Sequence, residues 1–297
     1  MKQTVFTGAA TAIITPFGEN GIDYAALERL LEEQIRQGIS GIVAAGTTGE
    51  GSTLSDAEHE ALISFCARKI AHRVPLIAGT GSNDTAHAIE RTRKACDAGA
   101  DAVLLVTPYY NKTTQRGLIA HFTAIADASA VPCILYNVPG RTGLNMLPET
   151  VAVLAEHPRI SAVKEACGNL SQVARIRALC GDALDVYSGC DDQTVPTLSI
   201  GGKGVISVIS NILPGEMAEL GRRFFAGDVQ GAAEIQLRLL DLMNQLMLET
   251  NPIPVKAACA ALGYGENRLR LPLVPMEAGN EEKLLRLMRE AGLEVRA

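Results

Sequence analysis

The sequence predicts a (β/α)₈ TIM barrel, an α/β fold, with a small C-terminal helical appendage. Eight short apolar runs alternate with longer segments that have the periodicity of amphipathic helices. The 297 residues suffice for one barrel of about 250 residues and a tail. The hydrophobic content of 47%, with only 4% aromatic residues, favours parallel strands buried on both faces. We therefore assign residues 1–227 to a catalytic barrel and residues 228–297 to a C-terminal helical region.

The eight apolar runs are short and flanked by turn-forming residues, as expected of buried strands. In chain order they are TAIITPF (11–17), GIVAAGT (41–47), PLIAGTG (75–81), DAVLLVTPY (101–109), PCILYNVP (132–139), ISAVKEA (160–166), LDVYSG (184–189) and GVISVIS (204–210).

Helix signals fill the gaps between these runs. Ser55 stands three residues before Glu58 as a capping box, and Asp23 and Asp84 can each cap the helix that follows. After the eighth run no strand pattern recurs, and the tail is predicted as helices interrupted before Pro252 and Pro272. The predicted barrel helices cover residues 23–38, 55–73, 84–99, 114–129, 170–181 and 214–227.

Composition excludes several classes of partner. The net charge of −6 and the scattered basic residues disfavour nucleic acid. No run approaches the roughly 18 apolar residues that cross a bilayer, and the N-terminus lacks the pattern of a signal peptide. The seven cysteines are odd in number and lack CxxC spacing. We expect a cytoplasmic protein without membrane association, whose thiols are small core residues without a zinc or redox role.

Lys164 is the only one of the eight lysines that lies inside an apolar run. Period-two alternation places Lys164 on one face with Ile160 and Ala162, and that face is expected to point into the barrel. Burial disfavours the ammonium form of a lysine and supplies the neutral amine that attacks a ketone. The alternative is a structural ion pair with a neighbouring carboxylate, namely Glu165, Asp191 or Asp192. From placement alone the two interpretations are about even.

Other polar residues follow the strand ends, where barrel enzymes place their chemistry. Tyr136 could shuttle protons, although buried tyrosines often only bond backbone. Thr47 and Thr48 could bind a carboxylate through hydroxyl and N–H groups, although an isolated GTTG is more often a polar turn. Arg141 offers a bidentate fork to a carboxylate, although a lone loop arginine is usually solvated.

Adjacent Tyr109 and Tyr110 should face opposite sides, so that one is free for an interface. The glycines of GGKGVISV precede the last strand, at the end opposite the catalytic tips, which argues against a phosphate cradle there. The five histidines all fall in helical segments or at helix ends, which disfavours a metal-dependent aldolase: His59, His72, His87, His121 and His157.

Seven motifs, in order and over essentially the whole chain, resemble the pyruvate-dependent class I aldolase family of dihydrodipicolinate synthase and N-acetylneuraminate lyase. YNVPGRT, with Arg141, is similar to the dihydrodipicolinate synthase subgroup. The resemblance implies a cofactor-independent lyase of lysine and diaminopimelate biosynthesis that joins pyruvate to L-aspartate 4-semialdehyde. The motifs are TPF, GTTGE, TPYYN, YNVPGRT, VKE, SGCDD and GVISV.

The resemblance also implies residue roles. Lys164 would form the imine with pyruvate, and Thr47, Tyr136 and Tyr110 would form a proton relay. Tyr110 would come from the partner subunit of a tight dimer, within a homotetramer that is a dimer of dimers.

The implied substrate contacts involve both carboxylates. Thr48, with the backbone N–H groups of Thr47 and Thr48, would hold the carboxylate of pyruvate, and Arg141 would bind that of the aldehyde. The backbone at Gly189 and Ile206 would line the pyruvate pocket.

The lysine-inhibited members of this family resemble one another around a second site at the dimer interface, where the amino acid binds. This sequence departs from that pattern at one position. Here His87 stands where an acid would be expected to meet the ammonium group of lysine. We therefore predict weak or absent inhibition by lysine. The positions that match the effector site are Gly51, Ser52, Asp56, His59, Asn83, His87 and Tyr109.

Two alternatives remain at this point. The same imine chemistry could cleave a sugar acid, such as sialic acid or a 2-keto-3-deoxy acid. A catalytically silent barrel could instead serve as a binding or regulatory protein. Lys164 together with Tyr136 and Thr47 argues against the silent barrel, because a binding module needs no desolvated amine beside a phenol.

Overall fold

The computed structural model describes residues 2–296, in which eight parallel strands close into one barrel. Each barrel strand pairs with the next barrel strand along the chain, and the last pairs with the first, which confirms the predicted fold class. The strands are β1 (Gly8–Ala12), a small hairpin of β2 (Phe17–Gly18) and β3 (Gly21–Ile22), then β4 (Gly41–Ala44), β5 (Leu76–Gly79), β6 (Ala102–Val106), β7 (Cys133–Asn137), β8 (Ile160–Glu165), β9 (Asp185–Ser188) and β10 (Gly204–Ser207).

Helices surround the barrel and form the tail. Three of them, between residues 139 and 199, were not predicted, because they are only four to seven residues long and carry little periodicity. The helices are α1 (Tyr24–Arg36), α2 (Asp56–Ile70), α3 (Thr85–Asp97), α4 (Gln115–Ala128), α5 (Pro139–Thr142), α6 (Pro148–Leu154), α7 (Leu170–Cys180), α8 (Thr194–Ser199), α9 (Pro214–Phe225), α10 (Val229–Gln245), α11 (Ile253–Ala261) and α12 (Ala278–Glu290).

The helix starts follow the predicted caps. Ser55 and Glu58 form a complete capping box at the start of α2. Asp23 accepts a hydrogen bond from the first turn of α1, and Asp84 does the same for α3. In the part of the chain that the structure covers, no helix is both long enough and apolar enough to cross a membrane.

The first strand lies earlier than the sequence pattern placed it. The pattern TAIITPF predicted a strand over 11–17, whereas β1 covers Gly8–Ala12. Four of its five residues are glycine or alanine, which have little strand propensity, so tertiary pairing rather than local signal defines β1. Ile13 and Ile14 lie beyond the strand and pack into the outer core.

The core has two parts, one between strands and helices and a smaller one inside the barrel. The rings of Phe6 and Tyr187 stack inside the barrel with their centroids 4.1 Å apart. The Tyr187 hydroxyl donates to the Phe6 carbonyl at 2.8 Å, and burial raises the pKa of Tyr187. Because Phe6 precedes β1, this pair closes the N-terminal end of the barrel.

A β-bulge in β8 corrects the predicted alternation. Cys133 pairs with Ile160, but Ile134 pairs with Ala162, so that Ser161 is an extra residue opposite β7. Ile160 therefore packs in the outer core, while Ala162 faces the barrel interior. The prediction that Ile160 shares a face with Ala162 was wrong, because simple alternation does not allow for an inserted residue.

Candidate active site

A cavity of about 330 Å³ opens at the C-terminal ends of β4 to β7. It brings together three of the predicted substrate-site residues, Thr47, Tyr136 and Arg141. Three of the predicted effector positions, Gly51, Ser52 and Tyr109, also line it. The predicted clustering of polar side chains at this end of the barrel is thus observed.

Lys164 lies on the inner face of β8, in register with Tyr136 of β7. The residue is only 5% exposed, and its Nζ lies 4.3 Å from the centre of the Tyr136 ring. Lys164 does not itself line the open part of the cavity, but Tyr136 does. The amine is therefore buried immediately behind the cavity wall.

The carboxylates near Lys164 are occupied elsewhere. Glu165 points to the opposite face of β8 and accepts from Asn137 at 3.0 Å and from Gln172 at 3.1 Å. Burial raises the pKa of Glu165, and these hydrogen bonds oppose the rise. Asp191 accepts from two backbone N–H groups after β10, each at 2.9 Å. Within residues 2–296 no carboxylate forms an ion pair with Lys164. The structure therefore lacks the ion pair with Glu165, Asp191 or Asp192 that the sequence left open as the alternative.

The loop after β4 carries the GTTGE motif in a tight turn. The Gly51 N–H donates to the Gly46 carbonyl at 3.1 Å. A Cβ at Gly51 would lie 2.1 Å from the carbonyl oxygen of Ala45, so any other residue would force the turn open. Thr47 lines the cavity, whereas Thr48 is buried with 2% exposure.

Glu50, the last residue of this motif, anchors the loop to the C-terminal tail. Its carboxylate lies 2.5 Å from Nζ of Lys256 in α11, and both side chains are almost fully buried. The same carboxylate accepts from the backbone N–H of Arg270 at 2.9 Å. The Lys256 ammonium also lies 4.1 Å from the centre of the Phe17 ring. Sequence reasoning missed this anchor, because nothing local to Glu50 indicates a partner 206 residues away.

Asn251, also in the tail, lies between two predicted substrate-binding residues. Its Nδ2 donates to Thr48 Oγ1 at 3.0 Å, and its backbone carbonyl accepts from Arg141 Nη2 at 3.0 Å. Arg141 itself sits on the exposed turn α5, which is fixed by a hydrogen bond of 3.2 Å between Thr107 and Thr142. The sequence marked Asn251 only as a helix interruption before Pro252, so this contact is new information from the structure.

Neither Gly189 nor Ile206 lines the cavity, but Gly189 lies beside Lys164. A Cβ at Gly189 would lie 3.0 Å from Cε of Lys164 and 2.6 Å from Cβ of Ala166. Gly189 therefore leaves room for the lysine side chain. Ile206 is fully buried in the interior core of the barrel.

Tyr109 and Tyr110 point to different sides, as the alternation predicted. Tyr109 lines the cavity, whereas Tyr110 is 92% exposed. Tyr110 has φ of 69°, a left-handed conformation that is uncommon for residues other than glycine. The turn is held in part by Asn111, whose Nδ2 donates to the Asn83 carbonyl at 2.9 Å. The side chain is thus presented away from its own cavity.

The predicted effector residues do not form one open cluster. His59 is buried, and its Nε2 lies 2.8 Å from the carbonyl oxygen of Gly79. His87 Nε2 lies 2.9 Å from Asp56 Oδ1, which also accepts from Arg91 at 2.9 Å. These two hydrogen bonds lower the pKa of Asp56 to about 2. Asp56 therefore remains ionised and paired.

Neither metal nor disulfide chemistry is indicated in residues 2–296. No group of three or more His, Cys, Asp or Glu side chains there could hold a metal ion. The histidines lie on helices or just after them. All seven cysteines are free, and the four that are buried are Cys66, Cys133, Cys180 and Cys259.

Comparisons with known proteins identify the same family as the sequence motifs. Residues 5–291 match the model of the Dihydrodipicolinate synthetase family. A 4-hydroxy-tetrahydrodipicolinate synthase of Geobacter sulfurreducens is 54% identical over 96% of this chain and 99% of its own length. A protein of the same name from Acetivibrio thermocellus is 52% identical over 99% of this chain and its full length. The crystal structure of dihydrodipicolinate synthase from Aquifex aeolicus superposes with a TM-score of 0.96 at 43% identity, covering 98% of this chain and all of that one.

Proposed function

The chain belongs to the dihydrodipicolinate synthetase family, and from this premise we propose that Lys164 is the covalent nucleophile of a 4-hydroxy-tetrahydrodipicolinate synthase reaction. That reaction joins pyruvate and L-aspartate 4-semialdehyde on the route to diaminopimelate and lysine. The names of the relatives agree with this activity rather than with the sugar-acid alternative.

The observation that carries the proposal is the buried, unpaired amine of Lys164 against the ring of Tyr136. The amine attacks C2 of pyruvate, and the carbinolamine loses water to form an imine. Loss of a proton from the methyl carbon gives an enamine, whose carbon attacks the aldehyde. The aldehyde oxygen takes a proton and becomes the hydroxyl group. The amino group of the second substrate then attacks the imine carbon, so that the ring closes and the Lys164 amine is released.

The two substrate carboxylates would be bound by different groups. Thr48 and the backbone N–H groups of the turn after β4 would hold pyruvate, and Arg141 would hold the semialdehyde. Gly189 and the backbone at Ile206 would leave space beside Lys164 for the keto acid. No cofactor is required, because the lysine imine itself supplies the electron sink.

Borohydride reduction in the presence of pyruvate, followed by peptide mass mapping, tests this assignment. We expect one adduct, on the peptide that contains Lys164, and product formation only when pyruvate is supplied with aspartate semialdehyde. An adduct on another lysine, or none, would end the imine proposal. Cleavage of sialic acid or a 2-keto-3-deoxy acid in parallel assays, without condensation, would leave the imine and reassign the substrate.

The proton relay would consist of Thr47, Tyr136 and Tyr110, with Tyr110 supplied by a second copy of the chain. The exposure of the Tyr110 side chain and its left-handed backbone conformation support this proposal. We predict that Tyr110→Phe lowers kcat by about 10²-fold, the scale of losing a positioned proton-transfer group. Steady-state kinetics of the variant check this, with Tyr264→Phe as the control because Tyr264 does not line the cavity.

Mixed subunits test whether Tyr110 crosses the interface. Alone, Lys164→Ala subunits should be inactive and Tyr110→Phe subunits should retain about 1% of the activity. If Tyr110 crosses the interface, a mixed dimer contains one site with both residues intact. Activity that returns on mixing supports the exchange and a dimeric unit, which a dimer of dimers would contain twice. If mixing restores nothing while each variant remains folded and dimeric, Tyr110 acts within its own subunit or not at all.

We also predict weak or absent feedback by lysine. The ammonium groups of lysine would need a free carboxylate, but Asp56 is paired with His87 and Arg91. An activity titration should show little inhibition at millimolar lysine, whereas His87→Glu, which supplies an acid at this position, should increase it. Inhibition of the unmodified protein at sub-millimolar lysine would contradict the prediction.

A further inference from the structure

We infer that Asn251 is a positioning residue that sets the proton direction of Thr48 and the orientation of Arg141. The inference rests on the proposed function, because it concerns how the two carboxylate-binding groups are held. Asn251 belongs to the C-terminal tail, outside the barrel motifs, and is only 7% exposed. It is in hydrogen-bond contact with both groups.

The contact with Thr48 has a direction. Nδ2 of Asn251 can only donate, so at 3.0 Å the Thr48 oxygen must accept. The hydroxyl proton of Thr48 is then free to donate elsewhere. Within residues 2–296 the Thr48 hydroxyl has no other hydrogen-bond partner. A carboxylate of pyruvate is the acceptor that the proposed reaction brings to this position.

The contact with Arg141 uses the backbone. The Asn251 carbonyl accepts from Nη2 of Arg141 at 3.0 Å, which fixes one edge of an otherwise exposed guanidinium. The remaining donors of the fork stay available for a second carboxylate. Asn251 thereby couples two groups that lie on different βα loops.

The other amide atom argues against a purely structural role. Oδ1 of Asn251 is buried and has no hydrogen-bond partner in the described part of the chain. An orphaned buried acceptor is unfavourable, and an apolar side chain would avoid it. The asparagine is therefore explained by what Nδ2 does for Thr48 rather than by the packing of the tail.

Three variants test the inference through the KM for pyruvate. Asn251→Ala should raise KM about tenfold, the scale of one hydrogen bond to a charged group, with little change in kcat. Asn251→Asp should raise KM further, because its carboxylate would accept a hydrogen bond from the Thr48 hydroxyl and repel the carboxylate of the substrate. In the Thr48→Val background, Asn251→Ala should add no further increase.

Other results would overturn the inference that Asn251 positions Thr48. An unchanged KM in Asn251→Ala, or the same added increase with and without Thr48→Val, would show that Asn251 does not act through Thr48. A lower melting temperature with unchanged KM would assign it a structural role. Borohydride trapping of pyruvate is measured in every variant and in the unmodified protein. Failure of the imine proposal would leave the unmodified protein without an adduct on Lys164, whereas failure of the Asn251 inference would leave that adduct in place.

Discussion

Replacing Lys164 with methionine is expected to lower kcat by on the order of 10⁴-fold or more and to abolish the pyruvate adduct. Methionine keeps most of the apolar stem but has no amine to form the imine. Because no carboxylate in the described part of the chain pairs with Lys164, its removal leaves no buried charge behind. The melting temperature should therefore not fall.

Lys203→Met is the matched control for this variant. Lys203 also adjoins a barrel strand, but it precedes β10 at the end of the barrel opposite the cavity. Its replacement should leave kcat unchanged. Equal loss of activity in both variants would point to general damage to the barrel, and substantial activity in Lys164→Met would refute covalent catalysis by this lysine.

The second large effect is expected from Lys256→Met, through stability. The change leaves the buried carboxylate of Glu50 without its counter-ion, which costs about 3–5 kcal/mol in similar cases. For a chain of this size, that corresponds to a fall in the melting temperature of about 5–8 °C at fixed protein concentration. The loop that carries Thr47 and Thr48 should loosen as well, since Glu50 anchors it to α11.

Two further variants isolate the buried charge as the cause. Adding Glu50→Gln to Lys256→Met removes the unpaired charge and should recover part of the loss, because Gln can still accept from the Arg270 N–H. Arg36→Met breaks an exposed pair with Glu33 and should cost less than about 1 kcal/mol. Differential scanning calorimetry compares the four proteins. Equal effects at the buried and exposed pairs would contradict the argument.

Local patterns in the sequence predicted most of the barrel. Seven of the eight predicted strands overlap well with the observed strands, because their residues are apolar and β-branched. The exception is the first strand, β1, which was predicted too late in the chain because Gly8–Ala12 acquires its conformation from pairing with neighbouring strands. Short-range signals cannot report such pairing.

The candidate site was predictable where chemistry depends on residue type at a strand end. Lys164, Tyr136 and Arg141 were identified in this way, and the structure places them around one cavity or its inner wall. Asn251 and Lys256 were not, because their partners lie about 200 residues earlier in the chain. Contacts over such separations leave no periodic or local trace.

The bulge at Ser161 sets the register in which the Lys164 amine points into the barrel. Because Ser161 is left out of the pairing with β7, Ala162 and Lys164 face inward although Ile160 faces outward. If Ser161 paired with Ile134 as in a regular strand, Val163 and Glu165 would turn towards the barrel axis and Lys164 towards the helices. The direction of the Lys164 amine thus depends on the register of β8 as much as on residue identity, and removing one residue between Ala162 and Lys164 would turn the amine towards the helices.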